Sequence, residues 1–142
     1  MFEKMIEEYL VKLRDCREYD IKSVILFGSV ARGQAREDSD IDIIVVACGL
    51  PELRERIGHR PFRSPVRIQD IWMTPEELED MVIAKTGFVM DALLEGKVLH
   101  DDGTVAAARE RLVESLQRLK ARKLNHGWMI PRDDLRKVIS FD

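Results

Sequence analysis

Residues Gly28 to Val45 read GSVARGQAREDSDIDIIV, and they follow the apolar run Val24-Ile25-Leu26-Phe27. A Gly-Ser turn leaves one strand, and Asp40-Ile41-Asp42 opens the next about ten residues later. Side chains two apart on a strand share a face, so Asp40 and Asp42 project together while Ile41 and Ile43 point the other way, into a core. Two carboxylates this close repel each other, and a divalent cation removes that cost. Mg²⁺ suits such a pair because it combines one or two carboxylates with phosphate oxygens and water. At the strand-to-helix junction, backbone N–H groups and the helix dipole favour an anion at Gly28 and Ser29. Glycine there permits close backbone approach. A Gly-Ser turn alone is usually only a turn, and Asp-x-Asp alone is usually solvated. Their conjunction at the ends of two apolar strands is what points to phosphate and metal chemistry.

The flanking sequence alternates helix and strand signals. Phe2, Met5, Ile6, Tyr9, Leu10 and Leu13 recur at helical spacing, predicting an amphipathic helix over 2–16. Ile21–Phe27 reads as a buried strand, Ser29–Ala35 as a short helix limited by Gly33, and Ile41–Ala47 as a central strand. A short helix over Pro51–Ile57, a loop over His59–Pro65 and a strand over Val66–Met73 follow. Thr74-Pro75-Glu76-Glu77 carries a capping box and predicts a helix to about Lys85. Further helices are expected over Phe88–Leu94 and from Val105 to about Leu124, with a strand over Gly96–His100 between them. Asn125–Asp142 gives a weak helical signal over Asp133–Ile139. Strands and helices alternate, so the class is α/β or α+β. The expected organisation is a domain over 1–103, with a C-terminal helix and tail over 104–142 packing on it.

At 142 residues, 45% apolar and 35% charged, the chain can bury a core of its own. A net charge of −3 supplies no general attraction to nucleic acid, which is not expected as a partner. No apolar run approaches the roughly 18 residues that span a bilayer. The acidic start MFEKMIEEYL is no signal peptide, so the expected place is the cytoplasm. Cys16 and Cys48 match no metal-ligand spacing and read as free thiols.

The chemistry predicts a third carboxylate, to complete the metal site and accept the proton of an attacking hydroxyl. Asp70 is the candidate, within Arg67-Ile68-Gln69-Asp70-Ile71-Trp72. Its alternative is a solvated aspartate on an edge strand. Arg32 and Arg36 can reach phosphates from the turn or simply be solvated. Arg54, Arg56, His59, Arg60, Arg63 and Arg67 form a basic segment that either meets an acidic partner or is a solvated loop. Trp128, Met129 and Ile130 either fold back on the domain or anchor an interface.

These residues resemble the nucleotidyltransferase superfamily that includes DNA polymerase β, and within it the minimal nucleotidyltransferases. The likeness is carried by Ile25-Leu26-Phe27-Gly28-Ser29, by Ala31, Arg32 and Gly33, by Ser39-Asp40-Ile41-Asp42-Ile43, and by Asp70, with Leu94–Leu99 as a closing segment. It spans about 20–102. It implies a nucleotidyltransferase fold, α+β of α/β type with a mixed twisted sheet flanked by helices, Mg²⁺ (two ions) held by the catalytic carboxylates Asp40, Asp42 and Asp70, and ATP or another NTP bound at Gly28, Ser29, Arg32 and Ser39. It further implies transfer of a nucleoside monophosphate to a hydroxyl. Members of this branch often act with a helical HEPN-type protein, some as antitoxins, and a homodimer is a further expectation. The segment from Thr104 onward is shorter than the substrate domain of larger relatives, so the acceptor is expected from another molecule. Two other readings stay open: a catalytically weak nucleotide- or partner-binding module, and an enzyme that modifies a small molecule such as an antibiotic. Gln69, standing where the family more often has an apolar residue, is the chief departure.

Overall fold

In the computed structural model, residues 2–56, 67–120, 122–124 and 127–129 are described. Four strands form one sheet: β1 (Asp20–Phe27), β2 (Ile41–Cys48), β3 (Ile68–Met73) and β4 (Lys97–Asp101). Their order is β3-β2-β1-β4, with β2 and β3 parallel and the other two pairings antiparallel. The sheet is therefore mixed, as the family resemblance implies. β2 is central, and every residue from Ile43 to Ala47 is buried.

Each face of the sheet is covered by helices. On one side α1 (Phe2–Asp15) packs Tyr9 and Leu13 over Val24, Leu26, Ile41, Ile43, Val45 and Ile68. The other side carries α4 (Pro75–Ile83), α5 (Gly87–Glu95) and α6 (Thr104–Arg118), which bury Leu78, Val82, Val89, Leu93, Val105, Ala108 and Leu112 against Ile25, Ile44, Val46 and Met73. Strand parity assigns each residue to a layer, since odd and even positions of β2 separate cleanly between the two cores. Fully burying one such aliphatic side chain stabilises by about 1.5–3 kcal/mol.

Two short helices, α2 (Gly28–Ala31) and α3 (Leu53–Arg56), complete this part of the chain. The helix expected to reach Ala35 ends at Ala31, and Gly33 lies in the left-handed region at φ +71°. Gly96 lets the α5–β4 junction sit against the sheet. A Cβ there would lie 2.3 Å from the Ala92 carbonyl oxygen and 2.8 Å from that of Leu26.

Hydrogen bonds fix the helix ends. Thr74 caps α4, its hydroxyl accepting from the Glu77 N–H while the Glu77 carboxylate accepts from the Thr74 N–H, the capping box expected from the sequence. Arg56 Nη1 donates to Glu77 at 2.7 Å, tying α3 to the same corner. Asp101 caps α6 by accepting from the N–H groups of Val105 and Ala106, and it also accepts from the buried Ser23 hydroxyl at 2.7 Å.

The long helix expected to continue to Leu124 stops at Arg118. Lys120 adopts φ +54°, and 122–124 instead pair antiparallel with 127–129 as β5 (Arg122–Leu124) and β6 (Gly127–Met129). Lys123 pairs with Glu95 and Asp91 of α5, and Trp128 packs on the core beneath α6, so this hairpin folds back on the domain. The expected loop at His59–Pro65 and the helical signal at Asp133–Ile139 lie outside the described residues. Among the described residues, no helix is long and apolar enough to cross a membrane.

Candidate active site

The end of the sheet where β1 runs out and β2 begins brings Gly28, Asp40 and Asp42 together. Phe27 is the register partner of Asp42, so the chain turns at Gly28 directly beside that carboxylate. Gly28 has φ +76°, and a Cβ on it would meet Asp42 Oδ2 at 2.3 Å and Cγ at 3.2 Å. Only glycine admits both the backbone angle and this close approach. The turn and the carboxylate are thus one unit, built from the two halves of a single continuous stretch of chain.

Asp42 is half-buried, and its carboxyl is held above the ordinary value of 3.8. Burial is the largest cause and the charge of Asp40 the next, with Arg32 partly opposing them. Asp40 is exposed just outside the strand, on the same side. A half-buried carboxylate raised by a second one is the donor set that a divalent cation would relieve, so the pair fits Mg²⁺ shared with phosphate oxygens. Among the described residues, no group of three or more His, Cys, Asp and Glu side chains gathers into a cage.

Ser29 lies in the first turn of α2, whose N-terminus has no side-chain cap. The Ser29 carbonyl accepts from Gln34 N–H at 2.9 Å, which draws the following loop back toward the turn. Arg32 is exposed, and its Nε donates to Gln34 Oε1 at 3.2 Å. Ser39 acts locally, its hydroxyl accepting from Arg36 N–H at 2.7 Å to close the turn that delivers Asp40.

Asp70 does not join the aspartate pair. In the parallel pairing of β2 and β3, Asp70 stands opposite Ile43, and Gln69 stands opposite Asp42. Register partners share a face, so Asp70 points to the α1 side and the aspartate pair to the other. Its surroundings agree: Asp70 is 7% exposed, and its Oδ2 accepts from Tyr9 Oη at 2.8 Å and Trp72 Nε1 at 3.0 Å. The structure thus places the residue expected as third metal ligand and general base on the face opposite the aspartate pair. The residue is a buried acceptor that binds α1 to the sheet. A tyrosine inside the apolar stripe of α1 is the signal for this in the sequence, since its hydroxyl needs a partner once buried.

Two residues of the basic segment are used within the fold. Arg56 is paired with Glu77, and Arg67 donates to the Glu37 carbonyl. Arg54 is exposed, while His59, Arg60 and Arg63 lie outside the described residues.

The nucleotidyltransferase domain family matches residues 6–99. A protein of Methanocaldococcus jannaschii named "Putative protein adenylyltransferase MJ1305" is 30% identical over 130 residues, covering 84% of this chain and 86% of that one. Another from the same organism, "Putative protein adenylyltransferase MJ0604", is 50% identical over 44 residues, covering 31% and 44%. Among solved structures, a mutant of the toxin-antitoxin MntA-HpeT aligns at TM-score 0.48 with 18% identity, over 80% of this chain and 89% of that one. A toxin-antitoxin structure with AMP-PNP aligns at 0.46 with 19% identity, over 84% and 90%.

Proposed function

The chain belongs to the nucleotidyltransferase domain family, and from that premise we propose that it transfers AMP from ATP to a hydroxyl of a partner protein. The observation that carries the reading is the Asp40–Asp42 pair standing over the Gly28 turn. The names of the relatives, protein adenylyltransferases, favour a protein as the acceptor.

In this reading Gly28 and Ser29 receive the triphosphate, with Arg32 near enough to share its charge. Asp40 and Asp42 would hold Mg²⁺, which when bound offsets negative charge on the phosphates. The acceptor oxygen bonds to the α-phosphorus as the bond from that phosphorus to the β-phosphate oxygen breaks. Pyrophosphate leaves with the electron pair, and the hydroxyl proton passes to water. The half-buried setting of Asp42 keeps one side of the site dry, where electrostatic effects are strongest. A HEPN-type helical protein is the partner we propose, with this chain as its antitoxin.

The test is incubation with ATP labelled at the α-phosphate, Mg²⁺ and the protein encoded by the adjacent gene. Label on that neighbour, lost with Asp42→Asn, supports the proposal. Tight nucleotide binding without transfer to any protein would favour a binding module instead.

A further inference from the structure

The register that turns Asp70 away also decides what faces the aspartate pair from β3. Gln69 stands opposite Asp42 and is exposed, and adjacent strands lie about 4.8 Å apart, so its carboxamide is a near neighbour of that carboxylate. The alternation along β3 is clear: Ile68 and Asp70 are buried on the α1 face, while Gln69 and Ile71 are exposed. A slip of one residue would reverse every one of these, taking Ile68 out of the α1 core and Met73 out of the opposite one. The register is pinned from both sides of the sheet.

We infer that Gln69 occupies the third position of the nucleotide site, so that this chain holds one divalent cation tightly rather than two. The inference rests on the nucleotidyl-transfer reading above and specifies its metal requirement. Mg²⁺ demands six oxygen ligands in near-octahedral array and gives up water reluctantly. A carboxylate on β3 would supply a charged donor for a second ion. A carboxamide offers one neutral oxygen, which displaces water from Mg²⁺ poorly. A second ion would then depend on Asp40, Asp42 and phosphate oxygens already engaged with the first. Asp70 cannot be recruited, because its carboxylate is on the far face with Tyr9 and Trp72 bound to it.

The experiment counts ions directly, with Mn²⁺ as the probe and a non-hydrolysable ATP analogue present, by electron paramagnetic resonance. The full chain is expected to bind one Mn²⁺ tightly. Gln69→Asp, a change at an exposed position, is expected to gain a second ion with affinity raised about tenfold or more. Asp70→Asn is expected to keep its single ion within about twofold. Two tight ions in the unaltered chain, or no second ion in Gln69→Asp, would overturn the inference. Loss of Mn²⁺ from Asp70→Asn in a protein that still melts cooperatively would overturn it as well. Asp42→Asn separates the two levels: if it binds Mn²⁺ as well as the unaltered chain, the nucleotide-site reading itself fails. If Asp42→Asn and Asp70→Asn both lose the ion, only the assignment of Gln69 falls.

Discussion

Replacing Gly28 by alanine tests the union of turn and carboxylate on which the site depends. Two costs are separable. An L-residue at φ +76° is in the left-handed region, a penalty of about 1–2 kcal/mol. The new methyl would also stand 2.3 Å from Asp42 Oδ2 and 3.2 Å from Cγ. Rotating the carboxylate relieves the first contact but not the second, so overpacking adds about 1–2 kcal/mol. Gly28→Ala should therefore destabilise by about 2–4 kcal/mol in urea unfolding, with the slope unchanged. The decisive comparison is the double mutant. Asp42→Ala removes Oδ2 and Cγ and leaves only its Cβ, at an ordinary 3.5 Å. In that background Gly28→Ala should cost only the backbone share, giving a coupling energy of about 1–2 kcal/mol. An equal cost in both backgrounds, or a cost below about 0.5 kcal/mol in the unaltered chain, would refute the geometry.

Other changes follow from the same structure. Asp42 binds its proton more tightly folded than unfolded, so its charged form costs stability above the ordinary value of 3.8 and the cost fades as pH falls through the raised folded value. Asp42→Asn should thus stabilise the nucleotide-free protein at pH 7 by about 0.5 kcal/mol, a gap that closes in acid when melting is followed by calorimetry. Glu77 behaves oppositely. Burial would raise its carboxyl, but hydrogen bonds from Arg56 and Thr74 hold it below the ordinary 4.5, so its contribution is present above that value and lost as pH falls through the folded one. Glu77→Gln should cost on the order of 1 kcal/mol near neutrality and nothing in strong acid, as read by urea unfolding across pH. Tyr9→Phe should cost about 1–3 kcal/mol by leaving the buried Asp70 one donor poorer, while Mn²⁺ binding measured by resonance stays unchanged. Gly96→Ala should cost about 1–3 kcal/mol in urea unfolding, since the two atoms nearest the new methyl are the backbone carbonyl oxygens of Ala92 and Leu26.

The legible parts of this chain are those in which local pattern and tertiary role coincide. β1, β2 and the turn between them announce themselves because apolar runs, a glycine and paired aspartates all demand the same arrangement. The capping box at Thr74 is local chemistry and reads directly from four residues. The partners of Asp70 are not legible in the sequence because the face of a strand depends on register, which one residue of slip reverses, and β3 carries polar side chains on both faces. The cue lies elsewhere, in Tyr9, whose hydroxyl requires a buried acceptor. The β5–β6 hairpin escapes for a different reason. The amphipathic repeat of α6 runs on to Leu119, and what stops it is a left-handed Lys120 together with the Lys123 pairing to α5, neither of which has a strong local signal.

The central claim is nucleotidyl transfer directed by Asp40 and Asp42, and the fate of the two ends of ATP tests it most directly. The acceptor protein is incubated with this chain and Mg²⁺ in parallel with ATP labelled at the α-phosphate and at the γ-phosphate. The account predicts that the α-label becomes covalently attached to the acceptor, that the γ-label leaves as pyrophosphate, and that Asp42→Asn abolishes both. Attachment of the γ-label, or transfer undiminished in Asp42→Asn, would contradict it.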